Sequence, residues 1–135
     1  MIILFYITSV LISLSMPNVS WSEEPSPPPL TIKDMKVESK SRSSPPMVLI
    51  SCRVEHTRGL KSIEGAAATV FHGQLITVYP NLYDDGTHGD KQLQDGVYSL
   101  EITAPDTGGE ATVVFHAMDT DRNEIESDPV AIKIE

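Results

Sequence analysis

The chain has 135 residues, one cysteine and a formal net charge of −9, and all its charged side chains follow residue 22. An acidic surface of this kind repels nucleic acid and anionic lipid, so we expect neither as a partner. The length beyond residue 22 suits a single domain with one modest core.

The first 22 residues are typical of a secretory signal peptide. Ile2 to Met16 is almost wholly apolar, and Ser20 and Ser22 are small residues at the two positions that a signal peptidase reads. The apolar run has about 15 residues, fewer than the ~20 that a transmembrane helix needs. We therefore predict cleavage after Ser22 rather than retention as a membrane anchor. The mature protein would be secreted, periplasmic or at the cell surface, with no membrane insertion.

Residues 23–29 include four prolines and predict a stiff extended spacer. The rest of the chain, 30–135, alternates short apolar runs with turn residues and contains no run that demands a helix. The predicted strands are 30–38, 47–55, 63–72, 74–79, 97–103, 111–118 and 129–135. Seven strands in about a hundred residues predict an all-β antiparallel sandwich in one domain.

Several strands carry more specific signals. The apolar pattern of the first strand changes phase near Asp34, as at a kinked edge or a β-bulge. The run 63–72 is rich in alanine, but it lacks a charged face at helical spacing and is predicted as a strand. Cys52 has no partner for an internal disulfide, and alternation places it in the core rather than at a reactive site. The predicted inward residues are Val48, Ile50, Cys52, Val54, Tyr98, Leu100, Ile102, Val113, Phe115, Ala117, Val130, Ile132 and Ile134.

Residues 82–98, called here the aspartate loop, contain four aspartates and three glycines between two predicted strands. A motif is formed by Leu82, Asp84, Asp85, Gly86, Gly89, Asp90, Asp95, Gly96 and Tyr98, with Ala117, Asp119 and Asn123 further along. This motif resembles a signature of immunoglobulin-like or fibronectin type III-like domains of bacterial secreted and surface proteins, including choice-of-anchor modules. The resemblance covers 47–135 and departs from the family pattern at Gln94 and Arg122, where the family has glycine. It implies an extracellular immunoglobulin-like accessory module without enzyme activity.

The aspartate loop is also the candidate metal site, with Asp84, Asp85, Asp90 and Asp95 as ligands. Calcium takes six to eight oxygen ligands, which clustered carboxylates and tightly turned carbonyls can supply. The loop is not an EF-hand, because Gly86 and His88 occupy positions where that motif needs oxygen ligands. The alternative is that aspartate and glycine serve only as turn residues, with the carboxylates capping nearby amides.

Nothing in the sequence indicates catalysis. The four histidines lie in different elements without ligand spacing, and a hydrolase would need a nucleophile motif that the chain does not carry. We predict an exported structural or protein-interaction module, with calcium as the candidate cofactor and an unidentified protein or cell-surface partner. The alternative is a calcium-dependent carbohydrate-binding module. Sugar sites favour exposed tryptophan, and the single tryptophan, Trp21, lies in the predicted signal peptide.

Overall fold

The computed structural model describes residues 28–40, 44–105 and 108–134. The predicted signal peptide, its cleavage site and residues 23–27 of the predicted spacer lie outside these ranges. The described chain forms eight strands and one short 3₁₀ turn, Leu60–Ser62. The strands are β1 (Leu30–Lys40), β2 (Met47–His56), β3 (Ile63–His72), β4 (Leu75–Tyr79), β5 (Val97–Thr103), β6 (Gly109–Asp119), β7 (Glu124–Glu126) and β8 (Val130–Ile134).

The strands form two antiparallel sheets packed as a sandwich, which confirms the predicted all-β class. One sheet has the order β1-β2-β5, and the other has the order β4-β3-β6-β7 with β8 also paired to β6. The sequence predicted seven strands and missed β7. That strand contains only one apolar residue, Ile125, between two glutamates, so its three residues read as part of a turn.

The local predictions for β1 and β3 are confirmed. The pairing of β1 with β2 shifts register between Lys33 and Lys36, and Asp34 between them has a φ of 48°. This is the bulge that the change of phase predicted. Strand β3 spans the predicted residues 63–72, and its alanines at 66 and 68 lie in the core.

The core lies between the two sheets and is built from the inward faces of the alternating strands. Phe115 is completely buried in β6, with Ile50, Cys52 and Val54 of β2 equally inaccessible. The prediction that Cys52 is a core residue is confirmed, and burial raises the pKa of its thiol to about 12. In residues 28–40, 44–105 and 108–134, no helix has the length and apolar character needed to cross a bilayer.

Candidate functional site

The aspartate loop lies against the outer face and one edge of the three-stranded sheet. Tyr83 exchanges two backbone hydrogen bonds with Ser99 of β5, at 3.0 and 2.9 Å, and so covers that edge. Gly89 approaches the outer face so closely that a Cβ there would lie 2.5 Å from Leu49 Cδ1 and 3.1 Å from Glu101 Cγ. The loop therefore buries Ser99, whose position in the alternation points away from the core.

Three of the four predicted metal ligands converge. One carboxylate oxygen from each of Asp84, Asp90 and Asp95 lies within 4.8 Å of the other two. Asp90 is buried, and the other two are half-buried. Asp85 does not join them: its exposed carboxylate accepts hydrogen bonds from the Thr87 amide, at 2.9 Å, and from the Thr87 hydroxyl. The candidate metal site consequently has three carboxylates.

Backbone amides of the loop itself orient these carboxylates. The two oxygens of Asp84 accept hydrogen bonds from the Asp95 amide (3.1 Å) and the Gly96 amide (3.0 Å). Asp90 Oδ2 accepts from the Gly86 amide at 2.8 Å, and Asp95 Oδ1 from the Val97 amide at 2.9 Å. Short aspartate side chains form such bonds readily because they reach amides two or more residues along the chain. The turn chemistry foreseen as an alternative to metal binding is therefore present.

The surroundings of the cluster disfavour ionisation of Asp84 beside the carboxylates of Asp90 and Asp95. Burial raises the pKa of Asp84, and the charges of Asp95 and Asp90 act in the same direction, against the two amides that donate to it. In the described ranges, none of the three carboxylates forms an ion pair with a lysine, arginine or histidine. A bound cation would relieve this repulsion, and three carboxylate oxygens supply about half of the six to eight that calcium takes.

Two residues of the chain adopt the left-handed conformation at positions where the family that the aspartate loop resembles has glycine. Gln94 has a φ of 55° and Arg122 a φ of 69°. The amide of Gln94 donates to the carbonyl oxygen of Asp84 at 3.1 Å, so this conformation closes the aspartate loop. A side chain makes the left-handed region about 1–2 kcal/mol less favourable. The backbone path that glycine would favour is thus present without glycine.

A second polar cluster, which the sequence analysis missed, connects the two sheets. His56 Nε2, at the end of β2, lies 3.3 Å from Asp119 Oδ2, at the end of β6, and both side chains are completely buried. Asp119 also accepts from the amides of Asp121 and Asn123, and its pKa falls to about 2, chiefly through the Asn123 side-chain amide. The sequence did contain one indication that His56 is buried. It follows Val54 by two residues and so continues the inward-facing alternation of β2.

His88 and His116 make separate contacts, and no metal-binding group in the described chain includes a histidine. The His88 ring stacks on Tyr83 with centroids 3.8 Å apart and planes at 14°. His116 Nε2 lies 3.1 Å from the hydroxyl of Thr69 on the neighbouring strand.

An open groove of about 660 Å³ borders the five-stranded sheet and the start of the aspartate loop. Its lining includes Asn81, Tyr83, Tyr98, Glu64, His116 and Glu124. Comparison of the chain with known protein families, with curated proteins and with solved structures gives no match.

Proposed function

We propose that this chain is an exported, non-catalytic structural and protein-interaction module of the immunoglobulin-like class, whose aspartate loop binds calcium. The observation that carries the proposal is the convergence of Asp84, Asp90 and Asp95 within 4.8 Å, with no lysine, arginine or histidine paired to them among the described residues. Calcium bound at this cluster supplies a positive charge among the three carboxylates. It also links Asp84, at the start of the aspartate loop, to Asp90 and Asp95 further along it.

The strand order supports the immunoglobulin-like class. In constant-type immunoglobulin domains, strands A, B, E and D lie in one sheet and strands C, F and G in the other. The order β1-β2-β5 matches A, B and E, and β3-β6 with β7 and β8 matches C, F and G, whereas β4 extends the second sheet in place of strand D. The left-handed Gln94 and Arg122 agree with the glycine positions of the resembling family.

The buried ionisable and nucleophilic groups outside the loop support a structural role. Cys52 is sealed in the core with a raised pKa, and His56 is held by Asp119. His56 Nδ1 also accepts a hydrogen bond from the Arg58 amide at 3.0 Å, so both ring nitrogens are engaged in holding strand ends. Export rests on the sequence of the first 22 residues. Mass spectrometry of the exported protein should find Glu23 at the N-terminus, and an intact Met1 would contradict export with cleavage.

Calcium binding is tested by thermal melting in calcium and in chelator. A ligand at 100 times its Kd stabilises the folded state by about 2.7 kcal/mol. Each kcal/mol shifts the Tm of a domain of this size by roughly 4–8 °C. Calcium should therefore raise the Tm by more than about 10 °C.

Two matched variants assign this shift to the cluster. Asp90→Asn keeps the size and one acceptor oxygen of the side chain but removes a charge, and it should abolish the calcium-dependent shift. Asp85→Asn changes a neighbouring exposed carboxylate that lies outside the cluster, and it should retain the shift. Identical melts of the unaltered protein in calcium and in chelator would mean that the backbone amides hold the loop without metal.

A second candidate function is a calcium-dependent carbohydrate-binding module, and the groove beside the loop favours it. Tyr83 and Tyr98 provide aromatic surface there, and Asn81 and Glu124 provide polar groups of the kind that bind sugar hydroxyls. The Tyr83 ring, however, is stacked on His88. Glycan-array binding that is lost in Tyr83→Ala and in chelator would favour this function over the first, and an array without signal would reject it.

A further inference from the structure

The hairpin of β3 and β4 forms an uncharged, apolar region on an otherwise charged protein. Residues 65–83 contain no aspartate, glutamate, lysine or arginine, although the chain has 29 such residues. Leu75, Ile76 and Val78 of β4 are exposed by 62%, 61% and 63%, and Phe71 of β3 by 39%. Ile76 is directly opposite Phe71 in the ladder, so the two side chains share the outer face of the sheet. Large apolar side chains clustered in this way mark interaction surfaces.

The β4 edge differs from the other sheet edges of the described chain. Exposed edges recruit other strands unless charges, bulges or covering segments block them. β1 carries lysines and a bulge, β5 is covered by the bridge to Tyr83, and β7 and β8 carry charged side chains. The residues concerned are Lys33, Lys36, Lys40, Tyr83, Ser99, Glu124, Glu126 and Lys133. Strand β4 has no such protection among residues 28–40, 44–105 and 108–134, and it pairs on one side only, with β3.

We propose that the β4 edges of two copies of this chain pair antiparallel about a two-fold axis at Thr77. This joins the two five-stranded sheets into one continuous sheet across a symmetric dimer. The inference deepens the proposed function by naming the partner of the interaction module, and it does not depend on calcium.

The sequence of β4 is self-complementary in that register. With Thr77 opposite Thr77 of the second copy, Ile76 faces Val78 of the second copy, and both lie on the outer face. Leu75 then faces Tyr79 of the second copy on the inner face. Each antiparallel position therefore joins two apolar residues or two threonines, and such cross-strand pairs are the favourable ones. A two-fold axis makes every contact occur twice, which is the usual symmetry of homodimers.

The net charge opposes pairing of two copies, and it opposes pairing least through this uncharged hairpin. Two molecules of charge −9 repel one another, and the repulsion is least where they meet through uncharged surface. The four apolar side chains form a smaller surface than the ~800 Å² per partner of a standard interface, so we expect a weak dimer with a micromolar or weaker Kd. Added salt screens the repulsion and should strengthen this dimer. A cationic partner on the same face would be weakened by salt.

Sedimentation velocity of the purified protein from micromolar to millimolar concentration tests the proposal. The mass should rise from that of one chain toward twice that value, and the rise should occur at lower protein concentration in higher salt. The double variant Ile76→Lys/Val78→Lys should remain monomeric throughout. Both side chains are exposed, so its thermal melt should match that of the unaltered protein.

Leu93→Lys is the matched control, because Leu93 is 59% exposed but lies in the aspartate loop. It should dimerise normally. Thr77→Cys should form an intermolecular disulfide under mild oxidation, since residues opposite each other across a strand pair lie within disulfide range. A protein that is monomeric at every concentration, or a dimer that persists in the lysine variant, would overturn the proposal. Either result leaves the calcium-dependent melt unchanged, so the failure of this inference is distinguishable from that of the proposed function.

Discussion

Gly96, where the aspartate loop returns to β5, is the position at which one added methyl group should be most informative. Its φ is 83°, and a Cβ there would lie 3.1 Å from the carbonyl oxygen of Val54 and 3.0 Å from Leu60 Cδ2. The leucine methyl can rotate away, but the Val54 carbonyl belongs to the backbone of a central strand. The Val54 amide is also fixed, since it donates to the Gly96 carbonyl at 2.8 Å.

The expected cost of Gly96→Ala has two parts. A side chain at positive φ costs about 1–2 kcal/mol, and overpacking costs about 1–3 kcal/mol more, so the free energy of unfolding should fall by about 2–5 kcal/mol. Gly73 is the matched control: its φ is 61°, and nothing lies within 4 Å of an added Cβ. Gly73→Ala should therefore lose only the first part, about 1–2 kcal/mol.

Urea denaturation measures both losses, because the midpoint and slope of the transition give the free energy of unfolding. The two variants should differ by about 1–3 kcal/mol. Equal losses would refute the close approach of Gly96 to β2 and, with it, the path of the aspartate loop beside the three-stranded sheet.

Three further predictions concern the core, a strained position and the buried carboxylate. Phe115→Ala should lower the free energy of unfolding by about 3–5 kcal/mol, while Phe71→Ala, at an exposed site, should cost much less. Gln94→Gly should raise the free energy of unfolding by about 1 kcal/mol or less. Glycine removes the cost of holding a side chain in the left-handed conformation, and this gain exceeds the loss from the greater conformational entropy of the unfolded chain. The folded pKa of Asp119 is lowered to about 2 by the Asn123 amide, so its stabilisation is present above the unfolded pKa of about 4 and is lost as the pH falls through that interval. Asp119→Asn should flatten this part of the acid dependence of the Tm, and an unchanged profile would contradict the assignment.

The sequence predicted the strands well because their signals are local. Alternation alone identified the inward face of β2, and the absence of a charged helical face sufficed to assign the alanine-rich β3 as a strand. The same reasoning could not show that β4 ends a sheet, because alternation gives the faces of a strand and not its neighbours. The exposure of Ile76 and Val78 therefore emerged only from the sheet order.

The sequence predicted the candidate site only in part, because its geometry depends on how the loop folds back. Four aspartates were equivalent candidates by position, yet Asp85 bonds to Thr87 while Asp95 meets Asp84 eleven residues away. The pairing of His56 with Asp119 spans 63 residues and depends on the packing of two sheets. No local pattern specifies such a contact.

Calorimetric titration of calcium into the purified, chelator-treated protein tests the central claim most directly. We expect one calcium ion per chain in the unaltered protein and in Asp85→Asn, and no binding in Asp90→Asn or Asp95→Asn. Absence of binding to the unaltered protein would contradict a calcium site formed by the three converging carboxylates. The same conclusion would follow if Asp90→Asn and Asp95→Asn each bound calcium as tightly as the unaltered protein does.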